Sequence, residues 1–155
     1  MLRYGILTVV TGLMMTVSAP AQESARIVRL KAITDVVRGG QKGMVIQLDS
    51  EIDRLKDRQV VIRALFYTAA NDLLLARPGA YSTSDGFVTT QVVVTSPFAL
   101  TNVKNTELFI PYDELSLGIR GIHCLKFRVQ VLYFNGFNFA ILDQPDAVSF
   151  VLIQP

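Results

Sequence analysis

The chain has 155 residues, half of them hydrophobic and 18% charged, with a formal net charge of +2. That composition is incompatible with a disordered chain, and so small a charge exerts no strong pull on nucleic acid or acidic lipid. With Cys124 as its one cysteine, the chain holds no internal disulfide.

Residues 1–21 read as a secretory signal peptide. Met1 and Arg3 supply a positive start, and Gly5 to Val17 form an apolar run of signal-core length. Ala19-Pro20-Ala21 offers small residues where a signal peptidase reads, so cleavage is expected after Ala21. A transmembrane anchor needs ~20 apolar residues, and this run stops at Ser18 and Pro20. The expected location is the periplasm or the outside of the cell, with no membrane span after cleavage. Residues 22–155 then form a single domain, and the loss of Arg3 leaves a net charge of +1. Cys124 lies far from the cleavage site, so it is no lipoprotein acylation site. Its thiol is expected to be buried.

After the leader, turn signals punctuate one short strand after another. Arg26 to Ile33 alternates Val28, Leu30 and Ala32 with Arg29 and Lys31, the pattern of a half-buried strand. Gly39 to Gly43 reads as a turn and Met44 to Leu48 as a short strand. Glu51 to Arg58 is charged and reads as a loop or a single helical turn. Gln59 to Thr68 is rich in β-branched and aromatic residues, which favours a strand. Leu73 to Ala76 is a short apolar run. Phe87 to Thr95 is a strand ended by Ser96-Pro97, and Glu107 to Ile110 a brief one stopped by Pro111. Leu115 to Gly121 is irregular. Ile122 to Phe134 reads as the longest strand, Phe137 to Leu142 returns from it, and Ala147 to Ile153 closes the chain. Eight or nine strands at this spacing predict an all-β fold, an antiparallel β-sandwich, with a barrel as the other architecture.

Asn135-Gly136 is a strong two-residue hairpin signal, because both residues tolerate positive φ. Pairing Phe134 with Phe137 then puts Leu125, Phe127, Val129, Val131 and Tyr133 on a core face beside Ala140 and Leu142. The other face carries Lys126, Arg128 and Gln130, with Arg128 opposite Asp143. It becomes apolar at the tip, at Leu132, Phe134, Phe137 and Phe139. These four residues are the candidate partner surface, since exposed aromatic patches mark contacts. The competing expectation is that the Leu73-Leu74-Leu75 segment covers them.

Other constellations carry less chemistry. His123 and Cys124 are neighbours in a strand, so they point to opposite faces and make no nucleophile–base pair. Asp49, Glu51 and Asp53 alternate along one side, an arrangement that calcium favours, but Arg54 stands where an EF-hand needs glycine, and Val60 where it needs glutamate. Arginines at 54 and 58 and Lys56 neutralise the acids. Gly39 to Gly43 lacks phosphate-loop spacing, and no GxSxG elbow occurs. No catalytic residue, metal site or cofactor is expected.

Leu108-Phe109-Ile110-Pro111-Tyr112, then Glu114-Leu115, Leu117, Gly121 and Leu125-Lys126-Phe127, resembles a segment of exported bacterial β-sandwich modules of unassigned function. Gly43-Met44 and Ala64-Leu65-Phe66-Tyr67 extend the resemblance over roughly residues 42–131. It implies an Ig-like or C2-like sandwich and carries no functional residues with it. The expected function is an exported, non-catalytic binding or structural module for a protein or envelope component. Two other classes stay open: an assembly or chaperone-like protein pairing through a sheet edge, and an enzyme with a hidden site. A long unpaired edge strand favours the first, and perturbed carboxylates in a deep pocket favour the second. The oligomeric state is open.

Overall fold

The computed structural model describes residues 21–154 apart from 116 and 119. The expected signal peptide, residues 1–21, therefore lies outside the described residues but for Ala21. Eight strands run in chain order: β1 Ser24–Arg38, β2 Gln41–Asp53, β3 Gln59–Thr68, β4 Thr89–Thr95, β5 Leu100–Pro111, β6 Gly121–Phe134, β7 Phe139–Asp143 and β8 Val148–Gln154. One 3-10 turn, Tyr112–Leu115, follows β5. The strands form two antiparallel sheets, β1-β2-β5 and β4-β3-β6, with β7 and β8 both on the far side of β6. β8 pairs with the N-terminal half of β6 and β7 with its C-terminal end. The architecture is an open two-sheet sandwich and not a barrel.

Period-two alternation builds the core. Met44, Ile46, Leu48 and Ile52 of β2 face Val60, Ile62, Ala64 and Phe66 of β3 and Leu125, Phe127, Val129 and Val131 of β6, all fully buried. Phe66, Phe127 and Phe150 pack tilted or edge-on, with ring centroids 6.1–6.4 Å apart. Leu55, Leu74 and Leu115, from three connections, are buried in the same cluster.

Several expectations need correction. β1, β2 and β5 are longer than the sequence suggests, and β1, at 15 residues, exceeds β6. The reason is the β-bulge, which flips the inward side and breaks the period-two signal. In β5 the inward residues pass from Thr101 and Val103 to Leu108 and Ile110 across a register shift opposite Asp49. In β1 a shift beside Val28 leaves that residue 48% exposed while Ile27 and Leu30 pack inward. Glu51 and Asp53 are strand residues of β2, not a loop, and the turn is Gly39-Gly40 alone.

The β6–β7 hairpin closes on four residues, not two. Phe134 pairs with Phe139, and Asn135 to Asn138 form the loop. The Asn135 N–H donates to the Asn138 carbonyl at 3.1 Å. The Asn135 side-chain oxygen accepts from the N–H groups of Phe137 and Asn138, both at 3.0 Å. The asparagine therefore organises a longer turn instead of serving as half of a short one. A slip of two residues leaves Phe139, Ala140 and Ile141 on their expected faces.

The expected Arg128–Asp143 pair does not form. A bulge at Leu142 places Asp143 opposite Val131, on the inward side. There its carboxylate accepts the Ile27 N–H at 2.6 Å and ties the second sheet to β1. Cys124 is exposed, not buried. It lies on the outer face of β6 beyond the end of β3, whose last pairing is Thr68 with Leu125.

Candidate functional site

The outer face of the second sheet is zoned along β6. At the hairpin end, Val93, Val61, Leu132 and Ile141 form one row across four strands. Leu132 is buried beneath its neighbours at 2% exposure, while Val93 and Ile141 are about half exposed. The next row holds Phe134 and Phe139, with rings 5.3 Å apart and exposures of 48% and 57%. Phe137 stands at the loop tip, 96% exposed. The strands fold this way because β-branched and aromatic residues dominate them, and the Asn135 turn sets the tip. Of the four residues singled out in the sequence, Leu132, Phe134 and Phe139 thus share the outer face, Leu132 buried, while Phe137 stands in the loop and not opposite Phe134 as expected. The Leu73-Leu74-Leu75 segment does not cover them: Leu73 bridges Tyr67, and Leu74 is buried in the core.

A polar row borders this patch. The Arg63 Nε donates to Gln130 at 2.8 Å, and the Gln130 amide donates to Gln144. Further along, the Arg128 guanidinium lies 5.9 Å from the Tyr67 ring centroid. Lys126 donates to the Ala69 carbonyl at 3.0 Å and to Asn71 at 2.9 Å. Past these residues the face turns apolar again at Ile122, Val151 and Ile153, exposed by 73%, 56% and 70%.

The acidic series is engaged residue by residue. Asp49 accepts the Asn105 N–H at 2.7 Å and meets Arg29 at 2.8 Å. The Asn105 amide and then Arg29 hold its carboxyl below the usual range. Glu51 pairs with Arg26 at 3.0 Å and Asp53 approaches Arg54 at 3.6 Å. Among the described residues, no group of three or more His, Cys, Asp or Glu is placed to hold a metal ion. His123 pairs in register with Leu152, and Cys124 with Val151, on opposite faces of β6.

One feature escaped the sequence. A cleft of about 790 Å³ opens between the β1–β2 turn, the 3-10 turn and the last four residues of β8. On its wall Lys42 pairs with Asp35 at 2.8 Å, and the Asp35 N–H donates to the Tyr112 hydroxyl at 2.9 Å. The Asp35 carboxylate holds the Lys42 amine above its usual range. Segments distant in sequence meet there, and no local pattern signals that meeting. No helix among the described residues is long and apolar enough to cross a membrane.

No family model matches the chain, and no curated protein matches it. Among solved structures it is similar to a protein from Archaeoglobus fulgidus, at 13% identity and a TM-score of 0.39, over 84% of this chain and 98% of that one. It is also similar to AggA, the major subunit of aggregative adherence fimbriae type I from Escherichia coli, at 12% identity and a TM-score of 0.33. That likeness spans 89% of this chain and 100% of that one. At these scores neither likeness bears on what this chain does.

Proposed function

We propose that this protein is an exported, non-catalytic binding or structural module that engages a protein partner through the aromatic tip of its second sheet. Export is inferred from Arg3, the Gly5–Val17 run and Ala19-Pro20-Ala21. The observation that supports the contact is the exposure of Phe134 and Phe139 side by side, with Phe137 exposed in the loop that joins their strands. A phenylalanine buries on the order of 150–200 Å², and Phe137 is almost wholly in water. Covering it removes enough apolar area to favour association by roughly 4 kcal/mol before the costs of binding. Arg63 and Gln144, on either side of the buried Gln130, supply the polar rim that such contacts carry.

The test compares Phe134→Ala/Phe137→Ala with Phe127→Ala. Truncating the fully buried Phe127 costs about 3–5 kcal/mol. The tip double variant should melt within a few degrees of wild type and lose the envelope protein that wild type retains. The same preparation should have an intact mass lacking residues 1–21. A melting temperature as low as that of Phe127→Ala, or unchanged retention, would remove this reading.

A further inference from the structure

The sandwich leaves five strand edges, and four of them are blunted against pairing or already engaged; that of β4 is engaged at its start, where the Thr89 N–H donates to the Tyr81 carbonyl at 2.9 Å. β1 carries Arg26, Arg29, Lys31 and Arg38 and has two register shifts. β5 carries Lys104 and Glu107 and a register shift, and the Thr90 hydroxyl of β4 donates to its Phe109 carbonyl at 2.8 Å. β7 is five residues long, bulged, and pinned to Ile27 through Asp143. β8 has none of these devices. Its seven residues, Val148 to Gln154, hold no charge and no proline, and they pair with β6 without a register shift. Among the described residues no strand pairs with its other edge. The 790 Å³ cleft runs beside its last four residues. On the outer face beside it, Val151, Ile153 and Ile122 are more than half exposed.

We propose that β8 pairs antiparallel with β8 of a second copy of this chain, joining two second sheets into one. The strand is self-complementary in a way that favours this occupant. A two-fold axis through Val151 sets Val148 against Gln154, Ser149 against Ile153, Phe150 against Leu152 and Val151 against itself. This register uses the whole strand and keeps outer residues opposite outer residues, which the period of two requires. It brings no like charges together, because β8 has none. Phe150 and Leu152, packed in the core cluster, hold the strand in place for its partner. One strand pair is a small contact, in the weak, concentration-dependent class. The edge sits at the opposite end of β6 from Phe134, so this pairing does not rest on the aromatic tip.

The lone cysteine makes the geometry measurable. Cys124 is opposite Val151 in the β6–β8 register and exposed. In the dimer the order Cys124, Val151, Val151, Cys124 crosses three strand spacings, so the two cysteine Cα atoms lie about 14 Å apart. Sedimentation of the purified protein between roughly 1 µM and 1 mM, the range of weak contacts, should show mass rising from one chain towards two. Spin labels on Cys124 should give a short separation built on that 14 Å. Val151→Lys sets two like charges face to face on the axis and should remain a monomer throughout with an unchanged melting temperature. Val151→Thr, uncharged and β-branched, should still dimerise. A wild type that stays monomeric at the top of the range overturns the proposal. So does a dimer that survives Val151→Lys, or a label separation more than about twice the expected one.

Discussion

At the scale of single residues, exposure and hydrogen bonding decide what each side chain can do. Cys124 projects from the outer face of β6 where β3 no longer runs beside it. Its thiol should therefore react with a labelling reagent in the native protein within about ten-fold of the rate in denaturant. Protection of 100-fold or more would contradict that placement. Asp49 sits where three strands meet. The Asn105 amide, Arg29 and the carboxylate form a closed cluster, with Arg29 also donating to the Asn105 side chain at 2.9 Å. A carboxyl held below its ordinary value of 3.8 contributes stability above that value. The contribution is lost as pH falls through the lower native value. Asp49→Asn should therefore melt below wild type at pH 7, with the difference shrinking as pH is taken below 3.8. A difference that stays constant into acid would show that the charge is not what stabilises the cluster.

At the scale of strands, close approach and bulges set the register. Gly43 pairs with Pro111 across β2 and β5. A Cβ there would lie 2.2 Å from the Ile110 carbonyl oxygen and 2.8 Å from the Phe109 ring. Only backbone movement relieves the first clash, so Gly43→Ala pushes the two strands apart at a cost of about 1–3 kcal/mol. Gly40, in the neighbouring turn, has φ +79° and open space around it. Gly40→Ala bears only the left-handed penalty of about 1–2 kcal/mol, without loss of pairing. Both variants should melt below wild type. Amide exchange should distinguish them, with faster exchange along β2 and β5 in Gly43→Ala alone. Equal exchange in the two variants would refute the close-approach account. Asn105, at φ +54°, performs a related service: an asparagine tolerates the left-handed backbone that the β5 bulge requires.

At the scale of the whole molecule, the two sheets share one core. Met44, Ile46, Leu48 and Leu108 of the first sheet pack in the same cluster as Ile62, Phe66 and Phe127 of the second. Neither sheet keeps a buried face without the other, so unfolding should be a single cooperative step. Far-UV circular dichroism, which reads the strands, and near-UV absorption of Tyr112 and Tyr133, which pack against the core, should trace the same melting curve. Separate curves would mean that the sheets come apart independently.

The sequence by itself determined the all-β class, the inward face of β6, and the place of Phe134 and Phe139 together on its outer face. These follow from side-chain alternation, which is local and survives even a wrong turn length, because a two-residue slip changes no face. The tertiary structure alone decided the extent of β1 and β5, the partner of Asp143 and the exposure of Cys124. Each depends on a bulge or on where a neighbouring strand ends, and a single extra residue reverses the alternation on which the sequence argument relies. The open edge of β8 and its cleft were likewise invisible along the chain. An edge is defined by what does not lie beside it, and that depends on how segments distant in sequence pack together.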